Sequence, residues 1–238
     1  MILYYVRHGY PIYNPDGLTE YGQRQAAALA KRFTLYGLDE IYSSDSNRAM
    51  MTAEPTCKAL GKEMTLCPWM HEALAASRFW INRKGDDGCW TFQDRETIRL
   101  FNTAEMRALG ENWHTHPDLP RQDFGEGIEA VHKDVDAFLL QLGFEHIRSE
   151  GKYRVVEKNE KRVALFAHQG AGMSFLSSLL DIPYPMFCTH FDMGHSSVTA
   201  IYFNEKGEDC VPKVLQLSND SHLYKEGELQ GYQGWIDI

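Results

Sequence analysis

Two apolar runs organise the chain. Ile2-Leu3-Tyr4-Tyr5-Val6 and Val163-Ala164-Leu165-Phe166-Ala167 contain no polar position. Uninterrupted runs of this length, rich in aromatic and β-branched residues, predict strands buried on both faces of a parallel sheet. Weaker strand signals lie at 38–42, 64–67, 153–157, 198–203 and 211–217. Between them the period changes to that of a helix. Ala26, Leu29, Ala30 and Phe33 form one apolar stripe, with Thr19 placed to cap the helix. Ala49, Met50 and Ala53 follow the capping residues Ser44-Asp45-Ser46, and Pro55 predicts a kink or restart. Ile128, Val131, Val135, Phe138, Leu139 and Leu142 mark a third helix, and Met173, Leu176 and Leu180 the inner face of one over 170–180. Strands alternating with helices predict a three-layer α/β/α sandwich with a mainly parallel sheet.

Residues 73–125 follow neither period throughout, although 94–109 fits a helix. Trp80, Trp90 and Trp113 lie here with Phe79, Phe92, Phe101 and Phe124. The stretch reads as a cap inserted over the C-terminal edge of the strands in a single domain spanning 1–238. It reads equally as a satellite hydrophobic cluster, and the two readings are compatible.

Composition narrows the function classes. The chain has 238 residues, 43% hydrophobic and 24% charged, with a net charge of −9. That balance is globular, and it argues against nucleic acid as a partner, which needs a basic face. The five cysteines are odd in number and scattered, neither a disulfide framework nor a zinc pattern. No basic segment followed by an apolar core opens the sequence, and no apolar run approaches the roughly 20 residues of a membrane span. The expectation is a cytoplasmic protein with no membrane partner.

The chemistry lies where the apolar runs stop. Val6 is followed by Arg7-His8-Gly9, and Ala167 by His168-Gln169-Gly170. In open α/β sheets, ligands bind beyond the carboxyl ends of the strands. If the two strands are neighbours, His8 and His168 lie side by side. The helix starting near Gly170 would then aim its amides at an anion in the same place. Arg7 and Arg48 supply forked donors matched to phosphate oxygens. Other signals fail. Cys89 and Arg95 have the spacing of cysteine phosphatases, but no glycine lies between them to form an amide cradle. No zincin, dinucleotide or Walker motif is present.

These residues resemble the histidine phosphatase, or phosphoglycerate-mutase-like, superfamily. Arg7-His8-Gly9 looks like its signature, with Asn14 six residues after His8. Leu18-Thr19-Glu20-Tyr21-Gly22-Gln23-Arg24-Gln25-Ala26 is similar to its Leu-Thr-x-x-Gly-x-x-Gln-Ala segment. Ser44 to Ala49 with Thr52-Ala53-Glu54 resembles its second arginine motif, Glu72 its acid and Ala167-His168 its second histidine. The resemblance implies that His8 is the nucleophile and becomes a phosphohistidine, with its other ring nitrogen held by an acceptor such as a backbone carbonyl. It implies that Arg7, Arg48, His168 and Asn14 hold the phosphoryl oxygens, and that Glu72 protonates the leaving group, with Glu126 in reserve. No metal or cofactor is implied, and the partner is a small phosphorylated substrate.

Departures bear on specificity. Tyr10-Pro11 stands where members often carry Glu or Gln, then Ser or Thr. Ala73 to Ser77 replaces a Gly- and Trp-containing run, and His195 begins a segment that often begins with Asn. A phosphatase is the leading expectation. A mutase, or a non-catalytic phospho-ligand binder on the same fold, is the alternative. His71, His114, His116, His132, His146 and His222 read as surface or capping groups.

Overall fold

A computed structural model describes residues 1–82, 87–204 and 206–228. The chain divides into two compact units. One comprises Met1–His71, Lys158–Gln169 and the chain from Met193 onward. The other comprises Glu72–Glu157 and Gly170–Asp192. The 73–125 segment lies wholly within the second.

The first unit is built on a six-stranded sheet. Its strands are β1 (Ile2–Arg7), β2 (Glu40–Ser43), β3 (Met64–Leu66), β4 (Arg162–Ala167), β5 (Val198–Tyr202) and β6 (Lys213–Asn219). The order is β6-β5-β1-β4-β2-β3. β1, β4, β2 and β3 pair in parallel, whereas β5 is antiparallel to both β1 and β6. Only β5 therefore runs against the others, which gives the mainly parallel α/β sheet flanked by helices that the apolar runs predicted. Leu3, Tyr5, Val6, Val163, Leu165 and Phe166 are fully buried, the reason neither run alternates.

Helices α1 (Glu20–Tyr36) and α2 (Asn47–Leu60) cover one face of the sheet. Leu29, Phe33, Ala53 and Cys57 pack on Tyr4, Val6, Ala164 and Phe166. Thr19 caps α1 by accepting from the Gly22 amide at 3.0 Å, and Ser46 caps α2. The expected break at Pro55 does not occur, since α2 runs through it from Asn47 to Leu60. Burial of Ala49, Ala53, Thr56 and Cys57 on both sides of the proline offsets the one lost hydrogen bond.

In the second unit the helices are α3 (Glu72–Phe79), α4 (Arg95–Phe101), α5 (Ala104–Leu109), α6 (Phe124–Gln141), α7 (Gln169–Leu179) and α8 (Tyr184–His190). Helix α3 carried no recognisable period. The helix expected over 94–109 is two, because Thr103 caps a new start at the Met106 amide. Phe79, Phe101, Trp113 and Phe124 are fully buried around Tyr184, whose ring stacks on Phe79 at 4.3 Å. The aromatic stretch thus supplies this unit's core, and each such side chain contributes about 1.5–3 kcal/mol by burial. No described helix is long and apolar enough to cross a membrane.

His146 corrects the expectation of a surface group, for its side chain is fully buried. Its Nδ1 lies 2.9 Å from Asp136 Oδ1 and its Nε2 2.8 Å from Asp181 Oδ2. Arg148 bridges the same carboxylates. Two acceptors, one at each ring nitrogen, call for two N–H donors and hence the imidazolium. Burial opposes the charge, but the hydrogen bonds to Asp136 and Asp181 outweigh it and raise the pKa above 6.5. Protons are therefore bound more tightly in the folded state. The contribution is complete below pH 6.5 and is lost as pH rises through the raised value. We expect the melting temperature of the wild type to exceed that of His146→Gln by about 3–8 °C at pH 6. That gap should narrow as the pH is raised, and a gap that widens would show that His146 is not held as a cation.

Candidate active site

One edge of the sheet gathers every residue the sequence placed at a strand end. β1 and β4 pair with Arg7 opposite Ala167, so His8 and His168 emerge at the same level, and the His8 amide donates to the Ala167 carbonyl at 2.9 Å. β2 runs parallel beside β4 and delivers Ser44, whose amide donates to Phe166 O at 2.8 Å. β5 is antiparallel and brings its start to this edge. The Ser196 amide donates to His8 O at 3.0 Å, and the Arg7 amide to Ser197 O at 3.2 Å. Close backbone contact holds the turn after β1. A Cβ on Gly22 would stand 2.3 Å from Tyr10 O, and one on Gly9 2.8 Å from Gly22 O. Only hydrogen fits at either position. Gly9 N donates to Thr52 Oγ1 at 3.0 Å and Tyr10 N to Gln25 Oε1 at 2.8 Å. Thr52 and Gln25 therefore owe their places in the motifs to shaping this loop.

His8 is buried, and its Nδ1 lies 2.7 Å from the Gly9 carbonyl oxygen. A carbonyl only accepts, so Nδ1 carries the proton and Nε2 keeps its lone pair. Burial, then the charge of Arg7 and the neighbouring His168, hold the His8 pKa well below 6.5. The His168 ring is 5.2 Å away and edge-on. Its Nε2 lies 2.9 Å from Ser44 Oγ and 3.2 Å from Ser46 Oγ, hydroxyls able to donate or accept. Its Nδ1 is buried without a hydrogen-bond partner. Burial, then Arg48, His71 and Arg7, lower the His168 pKa well below 6.5.

Arg7 is buried at 4% exposure. Its guanidinium donates to Met193 O at 2.5 Å and meets His195 Nε2 at 2.9 Å. His195 is thus an acceptor at Nε2. Burial and then Arg7 lower its pKa to about 3, so it is neutral. Arg48 donates to Asp16 Oδ1 at 2.6 Å, and Asp16 Oδ2 accepts from the Asn47 amide at 2.8 Å. The Arg48 Nε is buried with no partner. Two guanidinium groups, one of them paired with Asp16, and three neutral imidazoles form a cluster whose chemistry suits an oxyanion.

Sequence reasoning did not place His195 in the site, although its ring stands 5.5 Å from that of His8. It missed Asp16, Ser44 and Ser46 as positioning groups. His71 is half-buried, with its ring 6.2 Å from that of His168. His116 and His222, expected as surface or capping groups, are buried. Asn14 lies on the exposed turn of the short hairpin formed by Pro11–Tyr13 and Asp16–Leu18.

Glu72 belongs to the second unit, at the first turn of α3. Its Oε1 accepts from the Gly170 amide at 3.0 Å and its Oε2 from the Ala171 amide at 2.9 Å. The anion expected at the start of α7 is therefore this carboxylate, since an internal Glu satisfies the free amides and the helix dipole together. Gly170 abuts the Trp90 ring, where a Cβ would stand 2.3 Å from it. Glu126 is exposed in the first turn of α6. No group of three or more His, Cys, Asp or Glu side chains among the described residues could hold a metal ion.

Residues 3–76 match the family model of the histidine phosphatase superfamily, branch 1, so the resemblance carried by the motifs is shown over that segment. A comparison with curated proteins finds no match. Among solved structures, the phosphoserine phosphatase of Entamoeba histolytica in complex with 3-phosphoglyceric acid is 21% identical with a TM-score of 0.59. The match covers 93% of this chain and 98% of that one. A mycobacterial glucosyl-3-phosphoglycerate phosphatase complexed with VO3 is 21% identical with a TM-score of 0.56, covering 90% of this chain and 97% of that one. At such identity the likeness is one of fold.

Proposed function

We propose that this chain, with a histidine phosphatase segment over residues 3–76, hydrolyses a small phosphomonoester through a phosphohistidine on His8, without a metal. The observation that carries the reading is the 2.7 Å contact of His8 Nδ1 with Gly9 O, which leaves Nε2 unprotonated on a ring set beside Arg7, His168 and His195. In this mechanism Nε2 attacks phosphorus in line, and the bond to the leaving oxygen breaks as the N–P bond forms. Arg7, Arg48, His168 and Asn14 bind the phosphoryl oxygens and stabilise their charge in the transition state. Glu72 gives a proton to the leaving oxygen. It then takes one from the water that cleaves the N–P bond and releases phosphate. The names of the two structural relatives, both phosphatases of phosphorylated small molecules, support the substrate class. We assign the choice of leaving group to residues 73–125. Five cysteines, odd in number and scattered along the chain, support a reducing, cytoplasmic setting.

The test is hydrolysis of p-nitrophenyl phosphate in the presence of EDTA. Because the His8 pKa lies well below 6.5, the nucleophile stays unprotonated and turnover should persist at mildly acid pH. Activity abolished by EDTA would sink the metal-free mechanism. A screen of phosphorylated metabolites then identifies the substrate.

A further inference from the structure

Two positions at which the sequence departs from the family pattern, Tyr10 and His195, meet in the first unit. Their rings stand edge-on with centroids 5.1 Å apart, and His195 is buried while Tyr10 is exposed. The turn that carries His195 is pinned through its backbone. The Gly194 amide donates to Ser218 Oγ at 2.9 Å, and the Ser196 amide to the His8 carbonyl at 3.0 Å. Ser196 sits at φ 62°, a left-handed conformation that side chains rarely adopt. This turn holds Arg7 at both ends of its fork. One terminal nitrogen donates to Met193 O at 2.5 Å and the other to His195 Nε2 at 2.9 Å. A guanidinium is planar, so an acceptor at each end fixes its plane.

The kind of acceptor matters as much as its place. Asp16 meets Arg48 with a carboxylate, which offsets a positive charge. His195 meets Arg7 with a neutral imidazole, because burial and then Arg7 lower its pKa to about 3. An imidazole orients the guanidinium and takes nothing from its charge. We propose, on the reading of this edge as a phosphoryl site, that His195 is a positioning residue for Arg7. It holds the plane of the guanidinium without subtracting from the charge that attracts the substrate dianion.

Calorimetric titration of the full chain with inorganic phosphate tests this role, because phosphate binding needs no turnover. His195→Ala should weaken binding at least about tenfold, since it leaves Arg7 without that acceptor. His195→Gln supplies a neutral acceptor and should recover most of the loss. His195→Glu has the same reach but carries a charge, and should bind phosphate at least about tenfold more weakly than the Gln variant. A carboxylate is a sound structural partner for an arginine, so a role confined to stability would spare the Glu variant. Melting temperatures recorded beside the titrations show which variants are folded. Should the Glu variant not fold, the Gln and Ala variants decide, and equal affinities in those two overturn the proposal. Arg7→Gln is the reference. A wild type that binds no phosphate, or an Arg7→Gln that binds it as the wild type does, removes the phosphoryl reading and this role with it. Equal affinities in the Gln and Glu variants, beside an impaired Arg7→Gln, overturn the role of His195 alone.

Discussion

His8→Ala is expected to lower kcat for p-nitrophenyl phosphate at least about ten-thousandfold, because it removes the atom that bonds to phosphorus. The remaining cluster can still bind the dianion, so KM should move far less than kcat. Two controls separate chemistry from folding. His8 is 3% exposed and touches two other imidazoles, so its truncation leaves a small cavity, and the variant's melting temperature should be measured beside its activity. His8→Asn offers a second variant of closer volume. The wild type, quenched in alkali after reaction with radiolabelled substrate, should retain a phosphoryl label that acid removes, as a phosphoramidate does. The label should be absent from both variants. Wild-type turnover in a folded His8→Ala would end the phosphohistidine reading.

Glu72→Gln should lower turnover of alkyl phosphates by about 10²–10⁴-fold, while aryl phosphates lose far less. An alkoxide is a poor leaving group and needs the proton, whereas a nitrophenolate departs without one. A stability cost accompanies this change. The Glu72 carboxylate receives the Gly170 and Ala171 amides on separate oxygens. A glutamine offers one acceptor and turns a donor toward the second amide, so about 1–2 kcal/mol should be lost. The stability loss is common to all substrates, and the leaving-group dependence is not. Equal losses for alkyl and aryl phosphates would move the proton donor from Glu72 to Glu126.

Much of this site was legible because its residues follow directly from local pattern. A run with no polar position must be buried on both faces, so a charged residue ending it must stand at a sheet edge. That logic located Arg7, His8 and His168 from two pentapeptides. The capping roles of Thr19 and Ser46 are equally local, since a hydroxyl before an apolar period has few other tasks. The partners were not legible for the opposite reason. Asp16 reaches Arg48 across 32 residues, and His195 meets Arg7 across 188. No spacing rule links such pairs, because the sheet order alone sets them side by side. Histidine also misleads by type. His146 and His222 carry no sequence mark separating them from surface groups, yet one is held between two carboxylates and the other beside a buried arginine.

By itself, then, the sequence determined the alternation of strands and helices, the burial of β1 and β4, and the histidines at their ends. The net charge of −9 belongs to the solvated surface and left open a local cluster of Arg7 and Arg48. Tertiary structure alone decided the protonation of that cluster. Burial and neighbouring cations fix which imidazoles are neutral, and a single carbonyl, that of Gly9, fixes which nitrogen of His8 is free. It also decided that the start of α7 is neutralised by the protein's own Glu72. The first depends on the burial of His8 beside Arg7 and His168, and the second on contacts of about 3 Å between Glu72 and amides 98 and 99 residues away, and both exist only once the chain has folded.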